Sequence, residues 1–266
     1  HLQMPKRVPR TEYSIEGHWD VLRAVTGIEV RLDSPEDLKK KARDAFVRAW
    51  NFDFFWSVMI GNQYLGKWVT DMGHAEYAAG GVDRRDTVSC PFSDPEDVLA
   101  FDPMASLDKL DKEKLRQEFE AHYKRNCASS PMGLNMTGIY TTCVSGLIAM
   151  FGWDMLLMAA GMDAAKFGQV TNRYCQWLQT AFDALGAADV PVVMIHDDMV
   201  WTSGAVFHPD WYRTYVFPNY KKLFRPILDS GKRLIFTSDG TYTEFIDDLA
   251  PLVNGFVMEP TTDMKY

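Results

Sequence analysis

The sequence predicts an α/β protein built as a (β/α)8 TIM barrel. Three short apolar runs of strand length are each followed within a few residues by an acid. Helical patterns alternate with such runs at intervals of about 20 to 40 residues, which is typical of parallel α/β folds. In these barrels the carboxyl ends of the strands carry the chemistry. The three runs are Val192–Ile195 before His196-Asp197-Asp198, Arg233–Thr237 before Ser238-Asp239-Gly240, and Gly255–Met258 before Glu259.

Composition and charge place the chain among soluble globular proteins. Its 266 residues suffice for one large domain with a sizeable core. Hydrophobic residues make up 47% and charged residues 24%, which is ordinary for that class. The formal net charge is −8 and no basic run occurs, so a cationic surface for nucleic acid is not expected.

Cysteine usage and the N-terminus suggest a cytoplasmic protein. The four cysteines are widely spaced and form no CxxC pair, which is typical of free thiols in a reducing compartment. No secretory signal pattern is visible. Val144–Met162 approaches the length of a membrane span, but it contains Asp154 near its middle. We therefore interpret it as two buried segments of a soluble protein, broken at Phe151-Gly152, and expect no membrane association.

The first elements are predicted from their start signals. Residues 1–33 are mixed and polar and are expected to form an N-terminal extension that packs on a barrel domain at 34–266. The SPED sequence at 34–37 is a helix start, with Ser as N-cap and Pro at the first helical position. Apolar residues continue at helical spacing to Ala49. Phe52–Ile60 is aromatic and β-prone, and it predicts the first barrel strand.

The middle of the chain combines a long connection with two helices and a strand. Residues 61–90 are irregular and contain several glycines, which is typical of a functional loop or lid. A Ser-Asp-Pro sequence at 93–95 and the charged amphipathic pattern of Leu107–Asn126 predict the helices. Gly138–Thr142 predicts the strand.

The C-terminal half shows the clearest alternation of elements. Met162–Leu185 is a long helical pattern, and Gly186 is its predicted C-cap before the strand at Val192. A His-Pro-Asp sequence at 208–210 starts the next helix, which Pro218 restarts or kinks. The remaining predicted elements are a C-cap at Gly231, a strand at Leu234–Thr237, a helix at Thr243–Leu252 and a strand at Phe256–Met258.

The acids behind the three strands form the candidate reaction site. Titratable groups at the end of a buried strand are costly unless they are paired or bound. A nitrogen and oxygen donor set suited to zinc or another divalent metal is offered by His196, Asp197, Asp239 and Glu259. The candidate catalytic acids and bases are Asp198, Asp239 and Glu259. The alternative is structural: one acid caps the next helix or pairs with a buried cation, and Asp239 makes an Asx turn.

Three other side chains are candidates for substrate binding. Trp201 closely follows the acid pair and could form a pocket wall, whereas Trp211 and Tyr215 have helical spacing and favour the core. Tyr64 and His74 lie in the long connection and could complete the pocket. The alternative for His74 is a solvent-exposed loop histidine.

A series of motifs carries a family resemblance. After the acid pair come G-x-x-x-x-P at 204–209, F-P-x-Y-K at 217–221, G-K at 231–232, S-D-G at 238–240 and Glu259 before a proline. The RVPRTE sequence at 7–12 and FGWDMLL at 151–157 fit the same pattern. In these features the chain resembles the uroporphyrinogen decarboxylase superfamily, over most of its length. The group includes the decarboxylases of haem synthesis and the corrinoid- or cobamide-dependent methyltransferases.

The resemblance implies a fold and three alternative functions. The family fold is the (β/α)8 barrel. The first function is a methyltransferase that acts on a small-molecule substrate with a metal at the barrel mouth and exchanges methyl with a separate corrinoid protein. The second is a decarboxylase of a tetrapyrrole carboxylate. The third is a non-catalytic barrel that binds a corrinoid or another small ligand.

The chain departs from the family pattern in three places. The arginine signature R-Q-A-G-R of the decarboxylases is missing, and the basic cluster at 84–86 is a poor match. The H-x-C-G sequence of the zinc methyltransferases is replaced by Thr237-Ser238-Asp239-Gly240, so Asp239 occupies a ligand position without a thiolate beside it. Family members usually continue beyond the position of Tyr266, so we expect a barrel without its last strands in this chain.

Overall fold

The protein has an α/β fold with parallel sheets. The computed structural model describes residues 6–7, 9–11, 15–55, 57–71 and 89–258. In chain order the helices and strands are α1 (Trp19–Thr26), α2 (Glu36–Ala49), β1 (Phe54–Phe55), α3 (Pro95–Ala100), α4 (Pro103–Ser106), α5 (Lys112–Ser129), β2 (Leu134–Asn135), β3 (Thr137–Ile139), α6 (Cys143–Met162), α7 (Ala164–Ala187), β4 (Val192–His196), β5 (Val200–Trp201), β6 (Gly204–Ala205), α8 (Pro209–Tyr215), α9 (Phe217–Asp229), β7 (Arg233–Ser238), α10 (Ile246–Leu249) and β8 (Gly255–Met258).

Residue contacts divide the chain into two compact units. The first unit comprises His1–Ser57 and Tyr123–Met136, and the second comprises Val58–His122 and Thr137–Tyr266. The predicted boundary at residue 33 lies within the first unit. The division into an extension and a barrel domain stays a prediction.

The first unit is organised around α1 and α2. Buried Leu22 of α1 and Phe46 of α2 belong to one apolar cluster, which also includes Phe52. The short strands β1 and β2 pair in parallel. Helix α2 begins at Glu36, one residue after the predicted first helical position, and Pro35 is its N-cap. The hydroxyl of Ser34, the predicted N-cap, instead accepts a hydrogen bond from the Arg31 N–H.

The second unit contains a four-stranded parallel sheet in the order β3-β4-β7-β8. Strand β4 is buried at every residue, as expected for an apolar run with helices on both sides. The three runs that predicted the fold are therefore neighbouring parallel strands, and the α/β class is confirmed. Closure into an eight-stranded barrel stays a prediction.

The predicted strand at Phe52–Ile60 is wrong as a single element. Phe54 and Phe55 pair with β2 in the first unit, whereas Ile60 makes an isolated parallel bridge to Ile139 in the second. An aromatic run predicts extended backbone, but it does not specify the partner strand.

The apolar run at 144–162 lies in helix α6, which is interrupted at Gly152. This residue has φ 68° and ψ 166°, outside the helical region. Among the described residues, α6 is the helix long and apolar enough to cross a membrane, but 67% of its most apolar window is buried within the protein. The predicted break at Phe151-Gly152 is confirmed. The segment before it is buried as predicted, whereas Met158 and Met162 after it are about half exposed.

Gly186 is not the C-cap that the sequence predicted. Helix α7 continues to Ala187, so Gly186 lies inside it. A Cβ atom added at Gly186 would lie 2.7 Å from the backbone oxygen of Pro226 in α9. The glycine is therefore explained by the close approach of two helices.

Candidate metal centre

The register of β4 and β7 brings the candidate residues together. His196 pairs with Thr237, and the Asp197 N–H continues the ladder by donating to the Thr237 carbonyl at 3.0 Å. Asp198 lies two residues after His196, and Asp239 lies two residues after Thr237, so the two acids follow their strands on neighbouring turns. Parallel strands end at the same edge of a sheet, so equal spacing from a paired position places these acids close to each other.

Asp197 is buried and holds the first turn of α6. Its carboxylate accepts hydrogen bonds from the Val144 N–H at 3.0 Å, the Ser145 N–H at 2.5 Å and the Tyr220 hydroxyl. Burial raises the pKa of the Asp197 carboxyl, and these hydrogen bonds oppose that rise. Because all three partners are donors, we assign Asp197 to positioning the helix. Its predicted role as a metal ligand finds no support in this arrangement.

The ring of His196 is fixed by Tyr140. The two rings stack with centroids 4.0 Å apart, and His196 Nδ1 lies 3.2 Å from the Tyr140 carbonyl oxygen. A carbonyl oxygen only accepts, so we assign the proton to Nδ1. In the neutral ring Nε2 then carries the lone pair that a metal would use.

His196 Nε2 faces the carboxylate of Asp198. The distance from Nε2 to Asp198 Oδ1 is 3.0 Å, and the side chains are 2% and 32% exposed. With the proton on Nδ1, two acceptor atoms would face each other at this distance and repel. The arrangement therefore needs a cation between them, either a second proton on the ring or a metal ion.

We expect His196 in the metal-free protein to titrate above the ordinary histidine value. Burial lowers its pKa, but the hydrogen bond and charge of Asp198 outweigh burial, so the pKa is raised above 6.5. The folded state therefore binds this proton more tightly than the unfolded state. The resulting stabilisation is present below pH 6.5 and is lost as the pH rises through the folded-state pKa.

An NMR titration of the imidazole protons in the presence of a chelator measures this pKa. In Asp198→Asn the pKa of His196 should fall below that of the wild type, because the charge of Asp198 no longer opposes the effect of burial. An unchanged pKa in this variant would contradict the proposed pairing.

Asp239 completes a group of three potential ligands. One ligand atom each from His196, Asp198 and Asp239 lies within 4.8 Å of the other two, with the histidine buried and Asp239 exposed. The Ser238 hydroxyl links the two turns: it donates to the Asp239 carbonyl at 3.1 Å and accepts from the Met199 N–H at 3.4 Å. The Asp198 N–H also donates to the Ser145 hydroxyl at 2.6 Å.

The donor set fits a divalent cation of borderline or hard character. Imidazole nitrogen and carboxylate oxygen bind zinc at about 2.0–2.2 Å, which places tetrahedral ligand atoms roughly 3.4 Å apart. His196 Nε2 and Asp198 Oδ1 are 3.0 Å apart, and the ligand atom of exposed Asp239 lies within 4.8 Å of both. Without a thiolate the set does not favour a soft metal ion.

Trp201 lies beside the turn that carries Asp239. Its carbonyl accepts a hydrogen bond from the Thr241 N–H at 3.2 Å. A Cβ atom at Gly240, which has φ +80°, would lie 2.5 Å from the same carbonyl oxygen. The Trp201 ring is 47% exposed and lies 5.6 Å from the Trp153 ring. It is thus available to a ligand, and its role in substrate binding stays a prediction.

The Tyr64 hydroxyl is engaged by Glu118. It donates to the carboxylate at 2.8 Å, and burial together with this hydrogen bond raises the pKa of Tyr64 to about 12. We expect Tyr64→Phe to lower the free energy of unfolding by about 1 kcal/mol, because Glu118 loses its donor.

Denaturant unfolding of Tyr64→Phe, Glu118→Gln and the double variant measures the coupling between the two side chains. A structural role predicts that the two losses are not additive. Unchanged stability together with weaker substrate binding would instead favour the predicted binding role of Tyr64.

Two predicted site residues, Glu259 and His74, lie outside the described residues. Their roles as catalytic acid, metal ligand and substrate-binding residue stay predictions. The sequence reasoning missed Tyr140, Ser145 and Tyr220. Tyr140 directly follows β3, and this position at the end of a strand could have identified it.

Comparison with known proteins gives a fold relationship. No protein-family model and no curated protein matches the chain. Among solved structures, the chain is similar to a methyltransferase from Methanosarcina mazei, with a TM-score of 0.51 and 14% sequence identity. The similarity covers 94% of this chain and 70% of that chain. At this identity the similarity describes the fold, and the superfamily resemblance stays a prediction.

Proposed function

We propose that this protein is a methyl-transferring enzyme with a divalent metal held by His196, Asp198 and Asp239. The observation that carries the proposal is the convergence of one nitrogen and two oxygen ligands within 4.8 Å at the carboxyl ends of β4 and β7. Ligands of parallel α/β folds bind at this end of the sheet. The fold shared with a methyltransferase supports the class of reaction.

The proposed partners are a small methyl acceptor or donor and a corrinoid carried by a separate protein. When bound, the metal would act as a Lewis acid that makes the acceptor more acidic. His196 would present Nε2 to it, because the Tyr140 carbonyl holds the ring in one tautomer. Asp198 would bind through Oδ1, which leaves its second oxygen to accept a proton from the acceptor.

The charge of the site argues against the decarboxylase alternative. Asp198 and Asp239 place two carboxyl groups at the site, and Asp197 precedes Asp198 in the chain. A substrate with several carboxylates would be repelled by these groups, since such substrates need cationic partners.

Methyl transfer is tested with the full chain, metal and a corrinoid. The protein is loaded with Zn²⁺ or Mn²⁺ and mixed with methylcob(III)alamin and a small thiol. We expect the visible spectrum to change as the corrinoid loses its methyl group, and mass spectrometry to identify the methyl thioether.

Two variants make this test specific. Asp239→Asn should lose most of the activity, whereas Asp154→Asn, an exposed acid on α6, should retain it. Absence of bound metal together with absence of methyl transfer under all these conditions would overturn the proposal. Metal binding without methyl transfer would support the proposed metal site and contradict the proposed reaction.

A further inference from the structure

Two buried thiols of the second unit are in contact. Cys143 is the first residue of α6, and Cys175 lies in the middle of α7. Their sulfur atoms are 3.0 Å apart, and the residues are 0% and 2% exposed. All four cysteines are free, as the sequence predicted. A disulfide bond is about 2.05 Å long, so the two sulfur atoms need to approach by only about 1 Å.

The packing of α6 on α7 fixes the relative position of these thiols. The Tyr174 hydroxyl donates to the Thr141 carbonyl at 2.8 Å. A Cβ atom at Gly146 would lie 2.1 Å from the same hydroxyl oxygen, so the glycine allows the Tyr174 ring to lie against α6. Tyr174, which precedes Cys175, therefore contacts Thr141 and Gly146, one on each side of Cys143 in the chain.

We propose that Cys143 and Cys175 form an oxidative modification site that a peroxide converts into an intramolecular disulfide. The proposal goes beyond the proposed function and is independent of it. It rests on the contact between the sulfur atoms and on the packing that holds them.

The reaction balances with one peroxide. One thiol loses its proton, and its sulfur attacks a peroxide oxygen. The oxygen–oxygen bond breaks, leaving a sulfenic acid and a hydroxide that takes up the proton. The second thiol loses its proton, and its sulfur attacks the sulfenic sulfur. The sulfur–oxygen bond breaks and water leaves, so the sulfur pair is oxidised by two electrons and the peroxide is reduced to two waters.

Burial controls the rate of this reaction. It raises the pKa of the Cys143 thiol well above the ordinary value, so the reactive thiolate is scarce in the folded protein. Oxidation therefore requires transient opening between α6 and α7. Once formed, the bond would tie the first turn of α6 to α7, and this turn supplies the donors from Val144 and Ser145 to Asp197.

Peptide mapping of the full chain tests the proposal. The protein is treated with hydrogen peroxide, its remaining thiols are alkylated, and the digest is analysed by mass spectrometry. We expect a crosslinked pair of peptides containing residues 143 and 175, two hydrogen atoms lighter than the reduced pair and separated by dithiothreitol. The melting temperature should rise by roughly 5–10 °C.

Single variants provide matched controls. Cys143→Ser and Cys175→Ser should lose both the crosslink and the rise in melting temperature. Cys90→Ser and Cys127→Ser, which replace half-buried thiols, should keep both. The proposal is overturned if native protein yields only sulfinic or sulfonic acids, or a crosslink to another cysteine. If a variant fails to fold, the mapping of the wild-type chain decides alone.

Discussion

Replacing Asp197 with alanine is expected to lower the free energy of unfolding by about 3–5 kcal/mol. The carboxylate accepts three hydrogen bonds from buried donors: two N–H groups in the first turn of α6 and the Tyr220 hydroxyl. In the variant these donors lose their acceptor in a site that excludes water. Because the unpaired donors are buried, the loss of unfolding free energy should exceed that caused by removing an exposed N-cap side chain.

Denaturant unfolding of matched variants separates the contribution of the hydrogen bonds to stability from the contribution of side-chain volume. Asp197→Asn keeps the shape but turns an amide group toward donors, so it should be nearly as destabilised as the alanine variant. Asp239→Ala removes an equal side chain from an exposed position and should change stability by no more than about 0.5 kcal/mol. A loss below about 1 kcal/mol in Asp197→Ala would contradict the structural role.

Replacing His196 with alanine is expected to weaken divalent-metal binding by at least about 100-fold, because partners of ligands alone are typically worth 10–100-fold. His196 supplies the nitrogen ligand of the group and is the member whose position is fixed by stacking and by a backbone carbonyl. Asp198 and Asp239 are left as two carboxylates, which bind a borderline metal less tightly.

Isothermal titration with Zn²⁺ and Mn²⁺ measures this change. His208→Ala is the matched control, since His208 is an exposed histidine at the start of α8 and should leave the affinity unchanged. Equal affinities in the wild type and His196→Ala would remove the proposed site. Weaker binding in both variants would indicate adventitious binding to surface histidines.

The sequence was most informative where periodicity and end signals agreed. The apolar runs ending at His196 and Thr237 are adjacent parallel strands, and the acids after them lie close together. The interruption at Gly152 was also predictable, because this glycine lies two residues before Asp154 in an otherwise continuous apolar run.

Long-range contacts account for the predictions that the structure changed. Gly186 is of the residue type that often caps helices. A glycine is needed at this position because Pro226, which is distant in the chain, approaches its backbone closely. The Phe52–Ile60 run has the composition of one strand, but its parts pair with β2 and with Ile139. In both cases the local pattern indicates the type of residue or backbone, but it carries no information about which distant residue lies against it.

By itself, the sequence determined the α/β class and the location of the candidate site, because hydrophobic periodicity and charge at strand ends are local properties. Only the tertiary structure decided which acid of the pair after β4 belongs to that site. Asp197 is directed to the first turn of α6 and Asp198 to His196. Consecutive residues project in different directions. The helix turn that receives Asp197 lies some 50 residues earlier in the chain, whereas His196 is two residues from Asp198.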